Sequence, residues 1–394
     1  MKSLIIIGNN RAISLAELFS LYGEKNFQSI NGNAVLSSLK ADEINFTRIG
    51  GSIKLTKIVA ELKYLNWDQI YNESLSILTK YITDKNISTK LNFGISLYGI
   101  HKNPRDIINL GNNLKKTLRK TKNNIRFIPN KSLSLNAAQI INNKLTSDNG
   151  IELVFYKDGL ELYIAQTVTV QDINKYASRD FNRPFRDSRN GMLPPKLAQT
   201  IINLAVAENS IKESVILDPF CGSGVILQEA ILMGASALGS DLNPRMVQYS
   251  LNNINWLIDK FHLRMDLLIS IDESNAENGK WSNFNFIATE TSLGPPINHI
   301  PSPSDLKNII NKSNILLENF LKNLINQISL NTRLALAVPI WKINNEYYKL
   351  PLIDHLSDLG YNFVEFDSID SKQLVYIRND QFVGRQLLTL IKVK

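Results

Sequence analysis

The fold is decided by one stretch, Asp218-Pro219-Phe220-Cys221-Gly222-Ser223-Gly224. The hydrophobic run 215–217 leads into it and the apolar run 225–233 follows it, so the pattern predicts a strand, a tight turn and a helix. Glycine at positions 222 and 224 lets the backbone approach a ligand where a Cβ would collide, and the helix that follows offers unpaired N–H groups at the same point. The stretch therefore predicts a ligand site where the strand ends.

A second acidic residue, Asp241, follows a second hydrophobic run that begins at Ala237. It lies 23 residues after Asp218, close to the ~20-residue spacing at which a carboxylate reaches ribose hydroxyls in doubly wound folds. The loop lacks the Lys-Ser or Lys-Thr of a phosphate-binding P-loop, and Leu227 fills the place of the third glycine of the dinucleotide fingerprint. The favoured ligand is an adenosine-containing cofactor without a pyrophosphate. An ordinary strand-turn-helix corner is the alternative.

Composition excludes several classes of protein. The 394 residues, 44% hydrophobic and 20% charged, are typical of a globular chain with two or three domains. No segment approaches the ~18 apolar residues of a membrane span, so we expect a cytoplasmic location and no membrane partner. Cys221 is the single cysteine and the four histidines are scattered, so we expect no metal site. Cys221 fits a cofactor wall better than a nucleophile, because no histidine is near it in sequence.

The net charge of +8 favours an anionic partner, and its distribution is more informative than its total. Between residues 101 and 131 there are nine basic residues against one acid, Asp106. Such a run is either a solvated helix face or a phosphate-binding surface. The second interpretation makes these residues candidates for nucleic-acid binding: Lys115, Lys116, Arg119, Lys120, Lys122, Arg126 and Lys131.

The glycine loop resembles motif I of class I S-adenosylmethionine-dependent methyltransferases, in the form found in RNA and amino-group methylases. The stretch Gly191-Met192-Leu193-Pro194-Pro195-Lys196-Leu197-Ala198-Gln199 is similar to the segment that enters the catalytic domain of THUMP-containing tRNA guanosine N2-methyltransferases. The resemblance covers nearly the whole chain. It implies S-adenosylmethionine as cofactor, with a binding set of Pro195, Lys196, Asp218, Pro219, Phe220, Cys221, Gly222, Gly224, Asp241, Leu242, Asn275 and Ala276.

The resemblance also implies a domain organisation. The expected fold class is α/β, a Rossmann-like class I methyltransferase domain preceded by N-terminal ferredoxin-like and THUMP α+β domains. The expected bounds are 1–48 for the ferredoxin-like domain, 50–168 for the THUMP-like RNA-binding domain, 169–189 for a linker and 190–394 for the methyltransferase domain. THUMP implies binding to tRNA or another structured RNA. An accessory subunit is possible and is not identified by the sequence.

The chain departs from the family at its catalytic loop. Amino-group methylases of this kind carry Asp/Asn-Pro-Pro-Tyr/Phe after the fourth strand, where an acceptor holds the exocyclic amine and the ring stacks on the extruded base. Here Glu290 stands where the acid is expected, and Ser292 or Leu293 stands where the ring is expected. Losing a base-aromatic stack costs roughly 1 to 3 kcal/mol. Glu290, Ser292 and Leu293 are therefore the candidate catalytic residues of an altered loop.

The adenine end of the site is altered as well. Family members carry Asp-Ala after the third strand, and Asn275 and Ala276 occupy that place here. An Asn carbonyl can still accept one hydrogen bond from the adenine amine. Asp272 or Glu277 takes that role if the register differs.

Local patterns predict the bounds of individual elements. Ser14 is expected to cap a helix over 14–21, and Ser134 a helix over 135–145. A strand is expected over 284–288. The remaining expectations are helices over 313–330 and 352–359 and a final antiparallel pair over 375–378 and 386–392.

The favoured function is S-adenosylmethionine-dependent methylation of the exocyclic N2 of a guanosine in tRNA. One alternative is an amino-group methylase of rRNA or DNA bases. The other is a catalytically degenerate RNA-binding protein with a relic cofactor pocket, which the altered loop makes credible.

Overall fold

The computed structural model describes residues 2–29, 32–64, 66–87, 89–120, 124–186, 191–263, 266–297 and 299–394. The chain divides into two compact units. The first unit contains residues 1–9, 25–47 and 52–173, and the second contains residues 10–24, 48–51 and 174–394. The helices are α1 (Arg11–Tyr22), α2 (Trp67–Asp84), α3 (Pro104–Arg119), α4 (Ala137–Asn142), α5 (Ile173–Phe181), α6 (Pro195–Val206), α7 (Val225–Leu232), α8 (Pro244–Phe261) and α9 (Pro303–Leu324).

The strands of the first unit are β1 (Ser3–Ile7), β2 (Phe27–Ser29), β3 (Ala34–Ser37), β4 (Ser52–Lys63), β5 (Leu91–Tyr98), β6 (Ile125–Phe127), β7 (Gly150–Asp158) and β8 (Glu161–Val170). Those of the second unit are β9 (Val215–Asp218), β10 (Ser236–Asp241), β11 (Ile269–Glu273), β12 (Phe286–Glu290), β13 (Arg333–Ile343), β14 (Glu346–Tyr348), β15 (Tyr361–Phe363), β16 (Val375–Tyr376) and β17 (Val383–Lys392).

The first unit is built on one mixed sheet, in the order β2-β3-β1-β4-β8-β7-β5-β6. Residues of α2 and α3 pack on it in an apolar cluster that includes Phe93, Leu114 and Phe155. Strands on both sides of residue 48 share this sheet, since Leu4 of β1 lies opposite Thr56 of β4. The predicted boundary between a ferredoxin-like and a THUMP-like domain therefore falls within a continuous sheet, and the identity of both domains stays a prediction.

The second unit is built on a sheet in the order β11-β10-β9-β12-β13-β17-β15, with β14 and β16 paired to β13 and β17. Strands β9 to β13 are parallel to their neighbours, and β17 is antiparallel to β13. The chain runs outward from β9 to β11 and then returns to the other side of β9 with β12. In open α/β sheets a ligand binds at such a reversal, outside the carboxyl ends of the strands.

Several predicted bounds are wrong, and capping explains two of them. Helix α1 begins at Arg11 because the Asn10 side chain accepts from the N–H of Ile13, whereas the Ser14 hydroxyl lies within the helix and donates to the Gly51 carbonyl. Helix α9 begins at Pro303 rather than at residue 313, because Ser302 accepts from the N–H of Asp305. Asn and Ser are equally good caps, so composition alone could not choose between neighbouring candidates.

Three further elements differ from expectation. The helix expected over 135–145 is the shorter α4, capped by Asn136, and the helix expected over 352–359 is a 3-10 segment, Pro351–Leu359. Strand β12 covers Phe286–Glu290 rather than 284–288, so Glu290 is itself the last residue of the strand. The expected pairing of the final strands is confirmed, because β16 pairs antiparallel with β17. Among the described residues, every helix is too short or too polar to cross a membrane.

A buried carboxylate organises the helix layer of the second unit. Glu17 of α1 accepts from the backbone N–H of Gly50 at 2.9 Å and of Gly51 at 2.7 Å, and from the Asn203 amide of α6 at 2.7 Å. Burial raises the pKa of Glu17, and these three donors oppose that rise. Helix α1 is therefore fixed to α6 of the same unit by a satisfied polar network as well as by apolar contacts such as Ile13.

We predict that Glu17→Ala lowers the stability of the second unit by about 3 kcal/mol or more, because it leaves three buried donors unsatisfied. Denaturant or thermal unfolding measures this effect. Asp259→Ala, on the exposed face of α8, is the control and should change the midpoint little. Equal midpoints for the two variants would show that the Glu17 network contributes nothing net.

Candidate active site

A cavity of about 500 Å³ lies at the carboxyl ends of β9 and β12. This volume is within the range of small-molecule sites, roughly 300 to 1,000 Å³. The cavity brings together twelve of the residues singled out from the sequence: Asp218, Pro219, Phe220, Cys221, Gly222, Asp241, Leu242, Asn275, Ala276, Glu290, Ser292 and Leu293. Pro195, Lys196 and Gly224 lie outside its lining.

The turn after β9 depends on two left-handed glycines, Gly222 with φ 50° and Gly224 with φ 81°. A Cβ at Gly224 would lie 2.2 Å from the Ser250 hydroxyl of α8, so this glycine allows close packing of the turn against that helix. A Cβ at Gly222 would meet no atom within 4 Å, and Gly222 lines the cavity. Gly222 therefore leaves room for a ligand, whereas Gly224 serves the packing of the turn.

Asp241, at the end of β10, fixes the turn. Its Oδ2 accepts from the N–H of Gly222 and its Oδ1 from the N–H of Asn243, both at 2.9 Å. A carboxylate has about four acceptor positions, so each oxygen can still accept from a ligand hydroxyl. The geometry combines a positioned carboxylate with an open glycine face.

Asp218, the last residue of β9, is 2% exposed. Its Oδ1 accepts from the Thr289 hydroxyl of β12 at 2.5 Å and from the N–H of Phe220 at 3.3 Å. Burial raises the pKa of Asp218 to about 8, and the Thr289 hydrogen bond only partly offsets the cost of desolvation. The side chain therefore carries a proton at neutral pH in the ligand-free protein.

The third wall comes from the turn after β11. Asn275 Oδ1 accepts from the N–H of Glu277 at 3.0 Å, and Ala276 is buried. Glu277 also lines the cavity, and its carboxylate accepts from Asn319 at 2.8 Å. Asp272 is exposed and lies outside the cavity lining. Of the alternatives considered for the adenine amine, Asn275 and Glu277 thus line the cavity and Asp272 does not.

Cys221 forms part of the cavity wall. It is 5% exposed, and its N–H donates to the Ser240 carbonyl at 2.9 Å. Burial raises the pKa of the Cys221 thiol well above its usual value, which disfavours the thiolate that a nucleophile needs.

Glu290 ends β12 at the cavity and is held by Arg385 of β17. Arg385 Nε donates to Glu290 Oε1, and Arg385 Nη2 donates to the Gly191 carbonyl at 2.9 Å. Burial raises the pKa of Glu290, and the Arg385 guanidinium lowers it. Within the described residues, Glu290 Oε2 accepts no hydrogen bond, so one carboxylate oxygen is available to a ligand in the cavity.

The residues Thr291, Ser292 and Leu293 that follow Glu290 keep their backbone N–H groups. Thr291 is buried, and its N–H donates to the Ala337 carbonyl of β13 at 3.0 Å, a hydrogen bond that a proline could not make. Ser292 is exposed and its hydroxyl accepts from the N–H of Gly294. Leu293 is half-buried, so it is the candidate with an apolar surface for a base.

The segment expected to be a linker contains helix α5 and anchored side chains. Arg179 of α5 forms a buried ion pair with Glu229 of α7 at 2.6 Å. The side chain of Lys196 lies over the ring of Tyr176, 5.1 Å from its centroid, and its expected role at the cofactor stays a prediction.

The basic candidates lie in the first unit. Lys115, Lys116 and Arg119 belong to α3, Lys120 is its C-cap, and Arg126 is on the edge strand β6. All of these except Lys115 are exposed, as is Lys131. Lys122 lies outside the described residues.

Two arginines of the site were missed by sequence reasoning. Arg385 is far from the glycine loop in sequence, and Arg183 is in a segment that has the polar composition of a linker. That segment is rich in arginine, and this was the signal from which sequence reasoning could have found Arg183.

Comparison with known proteins is consistent with this architecture. A family model described as DNA methylase matches residues 62–252. The chain is 42% identical over 77 residues to a tRNA (guanine(10)-N2)-dimethyltransferase of Methanothermobacter thermautotrophicus, covering 20% of this chain and 21% of the relative. It is 29% identical over 184 residues to the enzyme of that name from Pyrococcus abyssi, covering 42% and 51%. The chain thus spans about half or less of the length of these curated relatives.

Several solved structures match along the whole chain. TrmN from Thermus thermophilus aligns over 100% of both chains with a TM-score of 0.51 and 14% sequence identity. This likeness shows that the protein has an α/β mixed-sheet methyltransferase fold.

We predict that the free energy of unfolding of Asp218→Asn, measured relative to that of wild type, increases as pH rises. The native carboxyl, with its pKa raised to about 8, holds a proton that the unfolded chain releases near pH 4, so its stabilising contribution is complete below that pH and falls as pH rises to 8. The variant lacks this loss, and its relative stability should rise by about 1.4 kcal/mol per pH unit between pH 5 and 7.

Unfolding midpoints of the ligand-free variants across this pH range measure the effect. Thr289→Val removes a hydrogen bond that lowers the pKa of Asp218, so the pH dependence should extend to higher pH in that variant. A difference between Asp218→Asn and wild type that stays constant with pH would contradict a protonated Asp218.

Proposed function

We propose that this protein transfers a methyl group from S-adenosylmethionine to the exocyclic N2 of a guanosine in tRNA. The observation that carries the proposal is the convergence of the Gly222–Asp241 wall and the Glu290 carboxylate on one cavity at the sheet reversal. The names of the two relatives support the substrate.

The residues present fit the cofactor. Gly222 leaves an open face in the cavity wall, Asp241 has acceptor positions for ribose hydroxyls, and Asn275 and Ala276 form the wall proposed for adenine. When bound, the cofactor supplies an electrophilic methyl group. The protein orients the acceptor amine toward it and excludes water, which are the main contributions that methyl transfer from a sulfonium needs.

Glu290 is the proposed catalytic residue. Its Oε2 accepts a hydrogen bond from the guanine N2 amine and so orients the nitrogen lone pair, while Arg385, which donates to Oε1, opposes the rise in the pKa of Glu290 that burial causes. The proton that the amine loses leaves to this carboxylate or to water. Leu293 packs against the base in place of the aromatic ring, and Ser292 lies at the solvent side of the same loop.

The first unit is the proposed tRNA-docking part, in a THUMP-like role. Its exposed basic residues on α3 and β6 form a face suited to phosphate groups. A DNA base is the second candidate substrate, because the matched family model is described as DNA methylase.

The test is methyl transfer from labelled cofactor to tRNA and to DNA, with mass spectrometry of the product nucleosides. N2-methylguanosine in tRNA is expected. Methylated adenine or cytosine in DNA would replace the proposal by the second candidate. Cofactor binding without transfer to any substrate would favour a relic cofactor pocket.

We predict that methyl-transfer activity falls in the order wild type, Glu290→Gln, Glu290→Ala. Gln keeps the volume and an acceptor oxygen, whereas Ala keeps neither, and losing one charged acceptor in the transition state costs a factor of about 30 to 1000 in rate. Cofactor affinity should be nearly unchanged in both variants. Glu273→Gln, at an exposed residue that ends β11 of the same sheet, is the control and should keep wild-type activity. Equal rates for wild type and Glu290→Ala would exclude the proposed role.

The pH dependence tests the Arg385 contact separately. Glu290 must be charged, so activity should rise with pH through its raised pKa. Arg385→Met removes the group that lowers this pKa, so the rise should shift to higher pH, and Arg385→Lys should reduce the shift. A lower rate with an unshifted pH profile would mean that Arg385 acts only on the fold.

We predict that the basic face of α3 contributes to the salt dependence of tRNA binding. Replacing Lys115, Lys116, Arg119 and Lys120 with Gln should lower the slope of log affinity against log salt by up to about 0.9 per lost contact. The control replaces four exposed lysines of the same unit, Lys57, Lys63, Lys80 and Lys90, and removes the same charge. Equal slopes for the two variants would remove α3 from the interface.

A further inference from the structure

Arg183 is a buried cation whose Nε and Nη2 have no hydrogen-bond partner among the described residues. Its residue is 3% exposed and it lines the cavity. Its Nε and Nη2 are buried and, in the part of the chain that the structure describes, make no hydrogen bond. A guanidinium has five N–H donors, and leaving them unsatisfied away from water is costly.

Other buried or half-buried arginines of this unit have hydrogen-bond partners, which makes Arg183 distinctive. Arg179 binds the Glu229 carboxylate with both Nε and Nη2. Arg333 donates to the Leu204 carbonyl and the Ser20 hydroxyl, and Arg385 donates to Glu290 and the Gly191 carbonyl. The fold thus satisfies these guanidinium groups internally, whereas Nε and Nη2 of Arg183 have no partner among the described residues.

Three charged side chains near Arg183 influence its guanidinium. Asp180 and Glu229 attract the guanidinium and Arg186 repels it, and burial lowers its pKa more than these charges change it. Glu229 already receives two hydrogen bonds from Arg179. The charge of Arg183 is therefore only partly compensated within the protein.

Arg183 is held beside the glycine turn. Two residues after it, Phe185 exchanges hydrogen bonds with the Asn253 amide, its N–H donating at 3.0 Å and its carbonyl accepting at 2.9 Å. The same Asn253 amide donates to the Ser223 carbonyl at 2.9 Å, and Phe185 stacks on Tyr249 at 4.7 Å between centroids. The position of Arg183 in the cavity wall is thus fixed in the ligand-free protein.

The charges of the cavity indicate the ligand group. Its described acidic lining residues are Asp218, Asp241, Glu277 and Glu290, and Arg183 is the single basic residue among the described lining. A ligand with hydroxyls and cationic groups at several points and one anionic group matches this pattern. The amino-acid end of S-adenosylmethionine carries a carboxylate.

We propose that Arg183 binds the α-carboxylate of the methionine part of the cofactor. The inference rests on the proposed function for the identity of the cofactor. The carboxylate would supply the hydrogen bonds that the buried guanidinium lacks, so a group that the fold leaves unsatisfied becomes a positioning and specificity residue for the ligand.

The test compares two ligands that differ at the amino-acid end. S-adenosylhomocysteine carries the carboxylate, and 5′-deoxy-5′-methylthioadenosine shares the adenosine and the sulfur but lacks it. For Arg183→Met, which keeps the volume and removes the charge, we expect calorimetry to show about a 10- to 100-fold loss of affinity for S-adenosylhomocysteine. Affinity for methylthioadenosine should stay within about twofold. Arg186→Met, exposed and outside the cavity lining, should bind both ligands like wild type.

Ligand-free stability gives a second readout. Arg183→Met removes an unsatisfied buried charge, so its midpoint of thermal unfolding should equal or exceed that of wild type. Arg179→Met breaks a buried pair and should lower the midpoint. A fall for Arg183→Met that matches the fall for Arg179→Met would overturn the inference, because Arg183 would then support the fold.

The other possible results of the ligand comparison also test the inference. Equal loss for both ligands, or no loss for either, overturns the inference. A loss confined to tRNA affinity would assign Arg183 to an RNA phosphate instead. If wild type binds neither ligand, the cofactor assignment fails and takes the inference with it. If the selective loss is found but no nucleic acid is methylated, the inference stands and the proposed activity fails.

Discussion

The hydrogen bond from the Thr289 hydroxyl to Asp218 joins β9 to β12 at the reversal of the sheet, and the site depends on it. Because the two strands are parallel neighbours, the loops that follow them emerge side by side. One loop carries Gly222 and the other begins at Glu290. A protonated Asp218 lets the two loops meet without placing another negative charge in the buried floor of the cavity.

The charges above this floor come from distant parts of the chain. Arg385 on β17 reaches Glu290 on β12, and Arg183 reaches the cavity from the segment before α6. The two cations have different partners. Arg385 compensates the Glu290 carboxylate, whereas we propose a ligand anion as the partner of Arg183. The N–H of Thr291 donates to the Ala337 carbonyl of β13, so the loop that follows Glu290 is anchored to the sheet.

Sequence patterns identified most elements correctly, because long apolar runs with clear breaks leave few alternatives. The bounds of α1 and α9 were wrong because Asn10 and Ser302 compete with other caps that are equally good in isolation. The assignment of α1 to the second unit also needed the structure. Glu17 makes its hydrogen bonds to Asn203 and to residues 50 and 51, and no local pattern indicates contacts between residues so distant in sequence.

By itself the sequence determined the glycine turn and the acid that fixes it, because these depend on short-range chemistry and the period of the apolar residues. Only the tertiary structure decided which polar groups are buried and which of them have partners. It separated Gly222, which opens the cavity, from Gly224, which packs against α8. It also brought Arg183 and Arg385 into one site, since pairing between residues far apart in sequence depends on how strands and helices pack, and no local pattern records that packing.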